Sequence, residues 1–336
     1  MITVAVIGAG SWGTTLAGLL GRHATVHCWA REPDVAEAIN ATHENPEYLA
    51  GIALPESVSA TSDLDKAFVG AEIVVMAVPS HGYRDVLAGA RDQIGVQTPV
   101  VSVTKGIETS SLMRMTEVIA DVLADHDPTR TAVLTGPNLA REIAEGQPAA
   151  AVIACAHEPT AVQLQELFMA ETFRVYTNPD VIGCELAGAL KNVMAIAAGA
   201  AYGLGYGDNA IAALITRGLA ELARLGVALG GDPLTFAGLA GMGDLIATCI
   251  SPKSRNRTVG VELAHGRSID DITASMNMVA EGVKTAPAVI ELAARVGVEM
   301  PIVEQVVAVL RDGKSPADMV SVLMHRSATS EFRGLR

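Results

Sequence analysis

Aromatic residues are scarce: Phe, Tyr and Trp together make up 4% of the 336 residues. Any core must therefore be filled by Ala, Val, Leu, Ile and Gly, in a chain that is 50% hydrophobic and 18% charged. Cysteine is scarce too. The four are Cys28, Cys155, Cys184 and Cys249, and no two stand at CxxC spacing. Zinc-ribbon and dithiol redox chemistry lack their spacing, and no metal site is expected. Each cysteine has apolar neighbours, which points to buried, reduced thiols and fits a cytoplasmic location.

Positive charge is in deficit: 24 Lys and Arg stand against 37 Asp and Glu, for a formal net charge of −13. A nucleic-acid partner is not expected, because its electrostatic footprint is basic. An anionic ligand needs a local positive patch against this field. Long hydrophobic runs are also missing. The longest uncharged stretch of the second half, Asn192 to Gly207, is rich in Ala and Gly. It falls short of the ~20 apolar residues a membrane span needs. It reads as a buried helix with its following loop, and no integral membrane segment is expected. The chain opens directly into MITVAVIGAG without a basic leader region, so no secretory signal is expected.

What is present fits two domains at ~100–200 residues each. Short apolar runs alternate with amphipathic segments in the first half. Strands are expected at Thr3–Ile7, Thr25–Trp29, Glu72–Ala77, Val100–Val103, Thr131–Thr135, Ala149–Ala154 and Phe173–Thr177. Several are continuously apolar, as in a parallel sheet covered on both faces. The pattern changes near Asn178-Pro179, a turn signal. Beyond it, helical windows recur around residues 209–229, 258–265, 286–296 and 303–310. The expected architecture is an α/β, Rossmann-like, doubly wound and mostly parallel sheet over residues 1–178, then an all-α domain over 179–336.

Gly8-Ala9-Gly10-Ser11-Trp12-Gly13 has GxGxxG spacing, between a strand and a helix. In such a loop Gly8 permits the tight turn, Gly10 lets backbone approach a pyrophosphate, and Gly13 allows close helix–strand packing. The helix N-terminus offers amide donors to the phosphates. NAD or NADP is therefore the expected cofactor. After the second strand the chain reads Ala30-Arg31-Glu32. Arg31 stands where a 2′-phosphate would lie, which favours NADPH and leaves NADH open. A solvated surface charge is the plainer alternative for Arg31.

Lys105 follows an apolar strand in SVTKGIE, and TAVLT ends in Gly136-Pro137-Asn138-Leu139-Ala140. Both are carboxyl-end loops, where doubly wound sheets bind ligands. Lys191 lies in the apolar helix ELAGALKNVMAIAAGA, with Ala187, Ala195 and Ala198 on its face. A lysine there is costly without a partner or a task. Burial lowers its pKa toward the range that suits proton transfer, although a lysine reaching water is also possible. Adjacent Asn192 can fix a substrate hydroxyl. Asp244 and Thr248, four apart, share a helix face after the Gly-rich AGLAGMG segment. Ser254-Arg255-Asn256-Arg257 then forms a polar loop. Arg there offers a planar fork to phosphate, and a solvated basic turn is the alternative.

The ordered set GAGSWG, CWAR, SVTKGIE, GPNLARE, CELAGALKNVMAIAAG, GLAGMGDLIATC, SPKSRNR and VAEGVKT runs from Gly8 to Thr285. In this order it resembles the NAD(P)-dependent glycerol-3-phosphate dehydrogenase family of bacterial type. The resemblance implies cofactor contacts by Gly8, Gly10, Ser11, Trp12, Gly13, Arg31, Lys105, Ala140, Arg255, Val279 and Glu281. It implies substrate contacts by Lys105, Gly136, Asn138, Lys191, Asn192, Asp244, Thr248, Ser254, Arg255 and Asn256. The family usually has Ser or Thr where this chain has Asn138.

By the same resemblance Lys191 is the proton donor or acceptor, with Lys105 and Asp244 also catalytic. The substrate pair is dihydroxyacetone phosphate and sn-glycerol 3-phosphate, and the active site lies in the cleft between the domains. The product feeds phospholipid synthesis, and the enzyme is a cytoplasmic homodimer. A β-hydroxyacid dehydrogenase is the nearest alternative, but its Lys-x-x-x-Asn spacing is absent, since Lys191 and Asn192 are adjacent. A non-catalytic dinucleotide-sensing module has no need of Lys191, Asp244 and Arg255 together.

Overall fold

The computed structural model describes residues 1–276, 280–328, 330 and 331. The chain forms two compact units. One comprises Met1–Thr104 and Met115–Val181, the other Lys105–Arg114 and Ile182–Arg336. The ten residues Lys105–Arg114 thus belong with the second unit although they interrupt the first in sequence.

The first unit is built on eight strands: β1 (Thr3–Ile7), β2 (Thr25–Trp29), β3 (Val58–Thr61), β4 (Ile73–Met76), β5 (Val100–Ser102), β6 (Thr131–Thr135), β7 (Ala149–Ala154) and β8 (Phe173–Asn178). Their order across the sheet is β3-β2-β1-β4-β5-β6-β7-β8. All neighbours are parallel except β6 and β7, which pair antiparallel. The chain runs outward through β2 and β3, then crosses to β4 on the other side of β1. That reversal leaves a crevice at the carboxyl ends of β1 and β4, where open α/β sheets bind ligands. Strand β1 after its first residue, Thr3, and strand β4 throughout are apolar because both of their faces are covered, and Val4 to Ile7 and Ile73 to Met76 are buried. Seven strands lie where expected. The eighth, β3, was not anticipated. It is a four-residue edge strand whose Ser59 and Thr61 break the apolar run, so it carries little hydrophobic signal.

The second unit is organised on the Val181–Gly203 helix. This 23-residue helix is long and apolar enough to cross a membrane by composition, yet 83% of its most apolar window is buried inside the protein. It is a core helix, longer than the uncharged stretch suggested because Glu185 and Lys191 lie within it. Leu186, Leu190, Val193 and Ile196 pack with Leu222, Leu225, Phe236, Leu245, Val259 and Val289 into one core. The Arg255–Ala264 helix crosses it at backbone contact. A Cβ on Gly199 would lie 2.0 Å from the Arg257 carbonyl oxygen, and one on Gly260 2.0 Å from that of Ile196. Only hydrogen fits at either position, and this crossing brings Asn256 to Asn192. All four cysteines are free and buried, as their neighbours suggested.

Candidate active site

In the first unit, the three glycines of the fingerprint occupy three different environments. Gly8 has φ +118°, and a Cβ there would lie 2.7 Å from the Ala77 carbonyl oxygen at the end of β4. A Cβ on Gly13 would lie 1.8 Å from the Gly8 carbonyl oxygen, so helix and strand meet here without side chains. At Gly10, the N-cap of the Ser11–Leu20 helix, nothing comes within 4 Å of such an atom. Turn, close packing and open approach are thus divided among them as dinucleotide binding requires.

The loop is held by a residue the sequence reading missed. Asn45, fully buried, donates to the Ala9 carbonyl and the Thr14 hydroxyl, each at 2.8 Å. Nothing in its HENPEY context marked it as more than a turn residue. Ser11 donates from Oγ to the Tyr48 carbonyl at 2.6 Å. Trp12 meets Phe173 edge to face at 6.5 Å, and its indole N–H is buried with no partner among the described residues.

Arg31 follows β2 and is exposed. Its Nε donates to Glu32 Oε1 at 2.9 Å. After β6, Gly136 has φ +136° and lies against the backbone of Ala150 and Ala151. Asn138 follows with both side-chain polar atoms buried and unpartnered among the described residues. Ala140 opens the Ala140–Ala144 helix, and its carbonyl accepts from Thr15 Oγ1 at 3.2 Å. A buried, unsatisfied amide costs roughly 1–3 kcal/mol. Its persistence at a carboxyl-end loop suits a ligand partner, as does the orphan donor of Trp12. The open face of Gly10 and the orphan donor of Trp12 fit a bound dinucleotide.

In the second unit one buried carboxylate joins two lysines. Asp244 opens the Asp244–Ile250 helix and is 1% exposed. Its Oδ1 lies 2.6 Å from Lys191 Nζ and its Oδ2 2.7 Å from Lys105 Nζ. The Lys191 ammonium also donates to Thr248 Oγ1. Thr248 Oγ1 in turn donates to the Asp244 carbonyl at 2.7 Å, one helical turn back. Asp244 and Thr248 therefore share a face, as their spacing implied. Lys191 itself is 5% exposed, and burial pulls its pKa down to about 8. Asp244 opposes that shift, and the charge of Lys105 adds to it.

Asn192 donates from Nδ2 to the Lys105 carbonyl at a long 3.5 Å. Its Oδ1 accepts from Asn256 Nδ2 at 3.0 Å, while Asn256 Oδ1 accepts from the Gly282 N–H at 2.9 Å. Asn256 thus ties the Lys191 helix to the start of the Glu281–Arg295 helix. The SRNR segment, expected as a polar loop, is a helix start. Ser254 is the N-cap, and its Oγ accepts from the Arg257 N–H at 3.3 Å. A serine preceding a helix is a strong cap, which is why the segment is ordered. Arg255 begins the helix; the residue is exposed overall, yet desolvation of its guanidinium by the surrounding chain lowers its pKa, and the negative charge of Glu281 opposes that shift. Val279 lies outside the described residues. Arg114 and Glu185, which sequence reasoning did not single out, form a further largely buried ion pair in this unit at 2.6 Å.

Comparison with known proteins covers almost the whole chain. The family model described as NAD-dependent glycerol-3-phosphate dehydrogenase N-terminus matches residues 3–161, and its C-terminus counterpart matches 180–321. A glycerol-3-phosphate dehydrogenase [NAD(P)+] of Sphingopyxis alaskensis is 55% identical over 330 residues, covering 98% of each chain. That of Thermobifida fusca is 54% identical over 340 residues and covers 100% of both. The crystal structure of glycerol-3-phosphate dehydrogenase from Coxiella burnetii superposes with a TM-score of 0.92 at 37% identity, covering 97% of this chain and 99% of that one. The yeast enzyme, from Saccharomyces cerevisiae, gives a TM-score of 0.81 at 27% identity, covering 96% and 98%. With two family models, near-complete relatives and the fold in agreement, the chain belongs to the NAD(P)-dependent glycerol-3-phosphate dehydrogenase family.

Proposed function

We propose that the chain interconverts dihydroxyacetone phosphate and sn-glycerol 3-phosphate, with Lys191 as proton donor and acceptor. The observation that carries this is the buried Lys191 ammonium, held at 2.6 Å by Asp244. When bound, the nicotinamide cofactor would supply the hydride in its reduced form, NAD(P)H, or accept it in its oxidised form, NAD(P)+. In the reducing direction the ketone oxygen gains negative charge, and Lys191 donates a proton to it. Asp244 and Thr248 take two of the three ammonium hydrogens, which aims the third. A pKa of about 8 suits transfer near neutral pH in either direction. Lys105 adds positive charge beside the developing oxyanion, preorganised by the other oxygen of Asp244. Arg255 grips the phosphate and so fixes the carbonyl for reaction.

The same reading gives Asn192 a contact to the substrate oxygen through its second amide hydrogen. Ser254 and Asn256 contact substrate as well, beside the bonds by which Asn256 tethers Asn192 and Ser254 caps its helix. Gly136 and Asn138 contact substrate. Ser11, Trp12, Arg31, Ala140 and Glu281 contact cofactor, with NADPH preferred because Arg31 suits its 2′-phosphate. Action as a cytoplasmic homodimer, with the product supplied to phospholipid synthesis, extends the reading along the family resemblance.

The deciding assay follows NADPH and NADH oxidation with dihydroxyacetone phosphate, with unphosphorylated dihydroxyacetone as control. Oxidation that depends on the phosphorylated ketone is expected. No turnover with either cofactor, or equal rates on both ketones, would overturn the proposal.

A further inference from the structure

Lys105 stands at one end of the Lys105–Arg114 segment, and the other end is fixed by an ion pair. Arg114 Nη1 lies 2.6 Å from Glu185 Oε2, with side chains 16% and 6% exposed. Such a pair adds little net stability, because desolvating two charges offsets most of their attraction. Its effect is on geometry, since leaving either charge buried and alone is costly.

The segment between the two ends is a closed, stiff turn. Ile107 and Arg114 form an antiparallel bridge. The Glu108 N–H donates to the Met113 carbonyl at 2.9 Å and the Leu112 N–H to the Glu108 carbonyl at 2.8 Å. Ser111 Oγ donates to Glu108 Oε2 and accepts from the Met113 N–H. Leu112 takes the left-handed conformation at φ +63°, unusual for a branched side chain and tolerated where surroundings over-determine it. Ile107 and Leu112 are buried in the core of the second unit. A displacement of Arg114 is therefore passed across the bridge to Ile107, two residues from Lys105.

Glu185 sits on the Val181–Gly203 helix, six residues before Lys191. At 1.5 Å per residue the two are ~9 Å apart along one rigid axis. That helix carries Lys191 directly and holds Lys105 indirectly, through Glu185, Arg114 and the turn. We infer that Arg114 and Glu185 are positioning residues: their ion pair sets where the Lys105 ammonium stands relative to Lys191 on the shared Asp244 carboxylate. The inference rests on the proposed role of Lys105 in catalysis, while its geometric content stands apart from turnover.

Two measurements test it. The first is a double-mutant cycle on Glu185→Gln and Lys105→Met. With Lys105 present, Glu185→Gln should lower kcat/KM for dihydroxyacetone phosphate by about ten- to a hundredfold, mostly in kcat, the scale of a misplaced catalytic group. With Lys105→Met already in place, it should change kcat/KM by less than about twofold. The second is trace acetylation of the folded protein, read lysine by lysine by mass spectrometry. Labelling of Lys105 should rise in Glu185→Gln while Lys66, Lys253, Lys284 and Lys314 stay constant.

Arg114→Lys and Glu185→Asp keep both charges and carry the same two tests if Glu185→Gln does not fold; each should give a smaller change of the same kind. Equal loss in both Lys105 backgrounds, or unchanged Lys105 labelling, would overturn the inference. Labelling needs no substrate, so it decides the positioning role even if dihydroxyacetone phosphate is not turned over.

Discussion

Lys191 and Asp244 meet at 2.6 Å on two different helices, both almost completely buried. The contact is asymmetric in its consequences. Asp244 has a second cation in Lys105, so loss of Lys191 leaves the carboxylate paired. Loss of Asp244 removes the carboxylate that the two ammonium groups share. Substitution at Lys191 is therefore the gentler probe of this cluster.

Lys191→Ala should retain the fold and NADPH binding while lowering turnover by ~10²–10⁴-fold, the usual contribution of a positioned acid or base. Turnover of dihydroxyacetone phosphate, thermal melting and NADPH fluorescence titration check the three parts. Turnover close to the unmodified protein would remove Lys191 from the proton-transfer step.

The pH dependence has a defined sign. Reduction needs the protonated ammonium, so kcat/KM for dihydroxyacetone phosphate should fall as pH rises through about 8. Oxidation of sn-glycerol 3-phosphate needs the neutral amine and should rise through the same value. Stability follows as well. An unfolded lysine keeps its proton up to about 10.5, whereas folded Lys191 gives it up near 8. Between these values the unfolded chain binds more protons, so this group makes folding more favourable as pH increases. Urea titrations at several pH values should show that contribution, and Lys191→Met should lack it.

Arg31→Ala should weaken NADPH more than NADH, by roughly ten- to a hundredfold in the ratio of KM values, since only NADPH presents a 2′-phosphate. In the structure the guanidinium is occupied by Glu32 at an exposed position. Exposed pairs contribute only ~0–1 kcal/mol, so a phosphate can displace the carboxylate. Glu32→Ala should accordingly shift the ratio modestly toward NADPH. Equal losses for both cofactors in Arg31→Ala would show that Arg31 does not discriminate between them.

Arg255→Ala tests the phosphate assignment. Activity on dihydroxyacetone phosphate should fall by roughly ten- to a hundredfold in kcat/KM at saturating NADPH, the scale of one charge-assisted hydrogen bond. Activity on dihydroxyacetone should change much less. Arg255→Lys should recover part of the loss, because a point charge lacks the fork. A parallel decline on both ketones would exclude Arg255 as the anchor.

Much of the first unit was legible because its signals are local. GAGSWG lies between a buried strand and a helix, and its glycines meet the three environments that the motif requires. Strand β3 was not legible, since a short half-polar edge strand has almost no periodicity to read. In the second unit, spacing placed Asp244 and Thr248 on one face and marked Lys191 as anomalous among alanines. Periodicity gives a residue its face but not its partner. Lys105, Lys191 and Asp244 are dozens of residues apart in sequence, and only the folded chain shows one carboxylate serving both lysines. The partnership of Arg114 with Glu185 was hidden for the same reason. Ser254 and Asn256 were visible as polar residues, but their capping and tethering bonds depend on a helix start read as a loop.

The discontinuity of the second unit matters for anyone recombining these chains. A gene fragment beginning at Ile182 encodes Glu185, Lys191 and Asp244 but omits the ten residues that supply Arg114 and Lys105. Expressed alone, it would remove the Arg114 partner of Glu185 and leave Asp244 with one lysine instead of two. A hybrid spliced at that point from two relatives would fit one parent's turn against the other parent's helix. Cofactor preference can thus be exchanged between homologues by swapping the amino-terminal region only if residues 105–114 travel with the carboxyl-terminal parent, as a two-crossover graft rather than a single junction.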